Sequence, residues 1–159
     1  MFKKLLVLTF VCLLGGVSYG QQPAPKKYLA VMDLEGHGVP QTDLEVLTIH
    51  LRKEFSKMPQ FVVIQENDII DRLKTAGMLD ANCHSDDCAS NVGKALNAQL
   101  IVTGSVGKLG YTYTVDIRMI DIETSKIIGV ATKNYKGILS GLASSSNEMT
   151  NNLVATSHN

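Results

Sequence analysis

Residues 98–136, AQLIVTGSVGKLGYTYTVDIRMIDIETSKIIGVATKNYK, constrain this chain more than any other stretch. Leu100 to Val106 is largely apolar, the pattern of a strand covered on both faces. The pattern then changes: Tyr111, Tyr113, Val115, Ile117 and Met119 alternate with Thr112, Thr114, Asp116 and Arg118, which makes a strand with one dry and one wet face. Glu123-Thr124-Ser125 turns the chain, and Ile127 to Tyr135 returns antiparallel. Three successive strands joined by short turns must sit in a sheet, and the upstream sequence has to supply the rest of it.

It does so with strands separated by helices. Tyr28 to Leu34 is a short apolar run, broken by Gly36-His37-Gly38. A helix follows, with Thr42 and Glu45 spaced as a capping box and with Leu44, Leu47, Leu51, Phe55 and Met58 on one apolar stripe. Asp43, Arg52, Lys53 and Lys57 fall on the other face, and Pro59 ends the helix. Phe61 to Ile64 is the second strand. Glu66 to Thr75 forms a second helix with acids in its first turn and Ile69, Ile70 and Leu73 facing inward; Gly77 stops it. A third helix begins at Ser85 and buries Cys88, Val92, Ala95 and Leu96. After the three strands, residues 138–158 carry Leu139, Leu142, Met149 and Leu153 among many Ser and Asn, a final helix that frays at its end. Right-handed crossovers make the first three strands parallel and the last two join as an antiparallel meander. The expected fold is α/β: a five-stranded mixed sheet of order 2-1-3-4-5 with helices on both faces.

The amino terminus predicts export. Lys3 and Lys4 precede an apolar segment, Leu5 to Val17, and Ser18-Tyr19-Gly20 places small residues at the −3 and −1 positions of a cleavage site before Gln21. The segment falls short of the ~20 apolar residues that span a bilayer. Cys12 lies inside it behind Phe10-Val11, where a lipobox needs small residues, so lipidation is not expected. The expected organisation is a signal peptide over 1–20, a flexible leader over 21–26, one α/β domain over 27–153 and a frayed tail over 154–159. Loss of Lys3 and Lys4 leaves thirteen basic against fifteen acidic residues, a net charge of −2 with neutral histidine. Basic and acidic residues are interspersed with no basic stripe, so nucleic-acid binding has no electrostatic footprint and binding driven by anionic lipid is not expected.

Cys83 and Cys88 remain as a pair, and an even count in an exported chain favours a disulfide. The alternative is a periplasmic redox or metal-handling site: two thiolates and His84 would suit zinc or copper. Four residues separate the cysteines, however, where zinc knuckles and redox pairs use two. His37 between two glycines, His50 on the first helix, and the carboxylates Glu66, Asp68 and Asp71 each read as solvated or helix-start residues. No nucleophile elbow, phosphate loop or dinucleotide fingerprint is present, and no catalytic residue, cofactor or metal site is expected.

With these elements in place, YLAVMDLEG, then FVVIQENDIIDRL, then CHSDDCASNVGKALNAQLIVTGSVGKLGYTYTVDIRMIDIETSKII resemble the CsgG/LpoB/TolB-amino-terminal superfamily of bacterial envelope proteins, over roughly residues 27–136. The resemblance implies a non-enzymatic role in the periplasm: secretion channels, activators of cell-wall synthases, and protein-docking domains. Secretion channels of this kind carry a lipid anchor and extra membrane hairpins, and synthase activators a long linker. This chain shows no lipobox and only Gln21 to Lys26 as a lead-in, so the docking role is the one that carries over. The expectation is a periplasmic binding or assembly-accessory module for another envelope protein, without stable membrane insertion after signal cleavage. Its returning strand would form the free sheet edge, with Thr132, Lys133, Tyr135 and Lys136 as the partner-binding residues.

Overall fold

The structure, a computed structural model, describes residues 25–79 and 85–157. In chain order the elements are β1 (Lys27–Val31), β2 (Glu35–His37), α1 (Gln41–Ser56), β3 (Phe61–Val63), α2 (Glu66–Thr75), α3 (Asp86–Ala95), β4 (Leu100–Leu109), β5 (Thr112–Asp121), β6 (Lys126–Lys136), α4 (Leu139–Ser144) and α5 (Ser146–Thr156). The sheet runs β3-β1-β4-β5-β6, parallel across β3, β1 and β4 and antiparallel across β4, β5 and β6. This is the mixed α/β sheet with the expected order, plus one short strand.

That sixth strand is β2. The sequence reading took Gly36-His37-Gly38 as the end of pairing, yet Glu35–His37 pairs in parallel with Ser105–Gly107 of β4. The turn comes later, at Gly38 with φ +74°. β4 is long enough to hold β1 along Leu100–Val102 and β2 along Ser105–Gly107.

The sheet separates two cores. On one side α1, α4 and α5 bury Leu47, Leu51, Phe55, Leu142, Met149 and Leu153 against Leu29, Val102, Val115, Ile117 and Met119. On the other side α2 and α3 bury Ile69, Leu73, Ala89, Val92 and Leu96 against Ala30, Ile101, Ile120 and Ile122. The strict alternation along β5 from Tyr113 to Met119 places one residue in two in the first core.

Several local expectations need correction. Helix α1 is capped at Pro40, whose extended backbone places its carbonyl to accept from the Asp43 and Leu44 N–H groups, so Thr42 lies inside the first turn and caps nothing. Lys57 is the C-cap, which leaves Met58 beyond the helix but still packed on the first core. Ile70 is exposed, because only Ile69 and Leu73 of α2 reach the sheet. The buried stripe of α3 is Ala89, Val92, Gly93 and Leu96, and Cys88 is only half-buried. The last helix is two helices. Ser144, Ser145 and Ser146 donate their hydroxyls to Ser140, Gly141 and Ala143 carbonyls, a competition with the helical ladder that breaks it at Ser145.

Candidate docking surface

Among the described residues, helices α2 and α3 pack against Ala30 of β1, Ile64 just after β3, Ile101 of β4, Ile120 of β5 and Ile122 just beyond it, and they leave the rest of that sheet face uncovered. The wet side chains of β5 therefore stay on a surface. Register places Thr112 beside Lys136, Thr114 beside Asn134 and Asp116 beside Thr132. The Thr114 hydroxyl donates to Asn134 Oδ1 at 2.9 Å, and the Thr132 hydroxyl donates to Asp116 Oδ1 at 2.6 Å. Across β4 the same face continues through Ser105 and Gly107 to Glu35 and His37 of β2, whose side chains approach to 3.5 Å. At its inner end Arg118 Nε lies 2.7 Å from Asp86 Oδ1, an ion pair that ties β5 to the first turn of α3.

The strand β6 forms one edge of this sheet. Its first half is closed by α5: the Val130 N–H donates to Thr156 Oγ1 at 3.1 Å, and that hydroxyl lies 3.2 Å from the Val130 carbonyl. Gly129 makes this contact possible, since a Cβ there would stand 2.6 Å from the Leu153 carbonyl oxygen of α5. Backbone groups alternate along a strand, so Thr132, Asn134 and Lys136 point their N–H and C=O the same way as Val130, away from β5. The four expected edge residues divide by side chain. Thr132 and Lys136 belong to the open face. Lys133 turns to the helical side and pairs with Glu148 at 2.6 Å, and Tyr135 packs its ring beside Gly137 and Gly141.

A second polar cluster lies where the parallel strands end. Arg52 does not sit on the solvated face of α1 as its spacing suggests. Its Nε donates to the Val31 carbonyl at 3.1 Å, while its two terminal nitrogens reach Asp33 at 2.9 Å and Glu66 at 3.0 Å. With its side chain only 13% exposed, Arg52 clamps α1, the end of β1 and the start of α2 together. Open α/β sheets commonly take ligands outside the strand ends where the order reverses. Here residues 35–37 run along β4 in that position as β2. Sequence reasoning missed this clamp, since nothing in the spacing of Asp33, Arg52 and Glu66 shows that they converge.

Two smaller features complete the surface. A cleft of about 400 Å³ is lined by Lys27, Lys94, Gln99, Asp121 and Glu123, with Gln99 Oε1 already accepting from the Tyr28 N–H. On the helical side, the Lys57 ammonium and the Asn147 amide hold the Glu54 carboxyl below the usual carboxylate range and link α1 to α5. His50 lies half-buried on α1. Cys88 is disulfide-bonded, and Ser85 accepts its N–H at 3.2 Å as the cap of α3; Cys83 and His84 lie outside the described residues. Among the described residues, no three His, Cys, Asp or Glu side chains group to hold a metal ion, and no helix is long and apolar enough to cross a membrane. The signal segment over 1–20 and most of the leader also lie outside the described residues.

Neither a family model nor a curated protein sequence matches the chain. Solved structures do. The carboxy-terminal domain of LpoB from Escherichia coli superposes with a TM-score of 0.59 at 12% identity, covering 74% of this chain and 87% of that domain. The lipoprotein GNA1162 from Neisseria meningitidis gives 0.58 at 14% identity, covering 84% of this chain and 99% of the other. The chain has the LpoB/TolB-like fold. TolB from Acinetobacter baumannii agrees, with a TM-score of 0.57 at 11% identity over 84% of this chain and 29% of TolB. At such identities the likeness is one of backbone architecture, so the side chains of the LpoB/TolB-like surface have to be read from this chain alone.

Proposed function

We propose that this chain is a non-enzymatic docking module of the bacterial periplasm that holds another envelope protein along the open half of β6. The supporting observation is the division of that edge. Thr156 occupies the backbone of Val130, whereas Thr132, Asn134 and Lys136 present outward backbone groups beside a polar, uncovered sheet face. Strand addition uses such an edge: main-chain hydrogen bonds give affinity, and the adjoining side chains give selectivity. Lys136, at the end of the edge, suits an edge protected from unselective pairing.

Thr132→Pro is the test. Proline removes one outward N–H and is tolerated on edge strands. It should weaken capture of a partner isolated from envelope extract at least tenfold. The lost Thr132–Asp116 hydrogen bond should cost about 1 kcal/mol. Thr132→Val loses the same hydroxyl but keeps the N–H, so it should match the proline variant in stability and the wild type in capture. Equal capture by all three proteins would remove β6 from the interface.

The same reading places export and the cysteine pair. Residues 1–20 direct the chain outward, and Cys83 bonds Cys88. Intact mass of the protein recovered from the periplasm should show an amino terminus at or near Gln21, no free thiol and no bound metal. Replacing both cysteines with serine should cost about 2 kcal/mol, the chain-entropy scale for a short loop, with the fold retained. Stoichiometric zinc, or free thiols in the exported protein, would turn the reading toward metal handling or redox chemistry.

A further inference from the structure

The β4–β5 hairpin, the end of β6 and the end of β2 meet at one pole of the sheet. Leu109, Tyr111 and Ile138 stand there 87%, 80% and 72% exposed. They are neighbours, because Leu109 and Tyr111 flank the turn residue Gly110 and the Gly137 N–H donates to the Tyr111 carbonyl at 3.0 Å, which brings Ile138 beside the hairpin. On the β2 side, a Cβ on Gly38 would lie 3.2 Å from the Lys108 carbonyl oxygen. Single exposed apolar residues are ordinary on protein surfaces, but three large ones gathered at one pole call for a partner.

The charges at this pole say which partner. Residues 36–42, 105–115 and 132–141, which build it, contain Lys108, Lys133 and Lys136 and no Asp or Glu; Glu35 beside His37 and Asp116 beside Thr132 border it. Lys133 is paired with Glu148 of α5. Lys108 Nζ sits 5.1 Å over the Tyr113 ring, which holds that cation near the hairpin tip. The sequence intersperses its charges, and the fold then gathers cations at one end.

We propose that this pole is a peripheral lipid contact: Leu109, Tyr111 and Ile138 enter the interfacial zone of an anionic bilayer while Lys108 and Lys136 meet its phosphates. Tyrosine is enriched at headgroup level, and lysine stems lie along apolar surface with the ammonium in the polar layer. Lysine is depleted in protein–protein contacts, so a basic collar around an apolar tip suits lipid better than an apolar protein groove. Weak insertion plus a few basic contacts gives reversible attachment, not a spanning anchor. The lipid contact and docking along β6 share Lys136, whose side chain serves the first and whose backbone ends the strand edge, while Thr132 and Asn134 lie farther along β6 from the pole.

The chain has no tryptophan, so Tyr111→Trp installs a single reporter at the tip. With the protein recovered after export and vesicles of phosphatidylglycerol and phosphatidylethanolamine, its emission should shift to the blue and be quenched by brominated acyl chains. Leu109→Trp gives a second reporter should Tyr111→Trp perturb the turn. Lys108→Glu in the reporter background should weaken vesicle binding roughly twenty-five-fold, from two charge units at about fivefold each. Leu109→Ser with Ile138→Ser should abolish the shift, and neutral phosphatidylcholine vesicles should give little of it. Unshifted emission from both reporters with anionic vesicles overturns the proposal. So does a shift that is indifferent to Lys108→Glu, or one that appears only when an envelope protein replaces the vesicles, which would make the pole a protein interface.

Discussion

Phe55→Ala is expected to lower the folding free energy by about 4 kcal/mol, within the range for truncating a buried aromatic. Phe55 is fully buried on α1, and its ring meets that of Phe61 edge-to-face, with centroids 6.0 Å apart and planes at 72°. Phe61 lies on β3, the sheet edge opposite β6, so this pair fastens the first helix to a three-residue strand. Alanine leaves a cavity that a closely packed interior fills poorly, and it also removes the ring–ring term. A domain of this size is stable by only about 5–15 kcal/mol. The measurement is urea unfolding: the midpoint should fall with little change in slope. A loss under about 1.5 kcal/mol would mean that α1 collapses into the gap and that β3 depends little on Phe61.

Gly104→Ala is expected to cost about 3 kcal/mol, the upper end of the overpacking range. A Cβ at Gly104 would stand 2.1 Å from the Asp116 carbonyl oxygen and 2.9 Å from Ile117 Cα, both backbone atoms that cannot turn aside. The position is structural. Gly104 lies between the segment of β4 that pairs with β1 and the segment that pairs with β2, where β5 must approach closely. Glycine in a strand interior commonly marks such an approach. Gly107, three residues on, supplies the control: a Cβ there meets nothing within 4 Å, so Gly107→Ala should stay within about 0.5 kcal/mol of wild type, as ordinary surface changes do. Equal effects at the two glycines would show that strand propensity, not the contact with β5, sets the cost.

Those two glycines mark a boundary in what can be read from residues. One lies within the apolar run and the other directly after it, and the chemistry of a glycine does not tell them apart; the path of β5 does. The same holds for Arg52, placed by helical periodicity on the solvated face and found across the ends of β1 and α2. A helical wheel describes burial against one flat surface, whereas the end of a twisted sheet reaches around the helix. The three acceptors of Arg52 come from residues 31, 33 and 66, and only the crossover connection brings them together.

The alternation of β5, the stripe of α1 from Leu44 to Phe55 and the apolar strands β1 and β4 were legible because side-chain periodicity is set locally, by the backbone geometry of each element. Strand order followed too, since crossover handedness leaves few arrangements for helices between parallel strands. The LpoB/TolB-like architecture was therefore determined by the sequence alone. What the tertiary structure decided is where a surface stays open. Thr156, near the end of α5, takes the outward backbone groups of Val130 and leaves those of Thr132 free of it. Likewise, the lysines and the apolar tip converge because two hairpin ends and a loop share one pole. Each depends on contacts between residues far apart in the chain, and a pattern of neighbours carries no record of them.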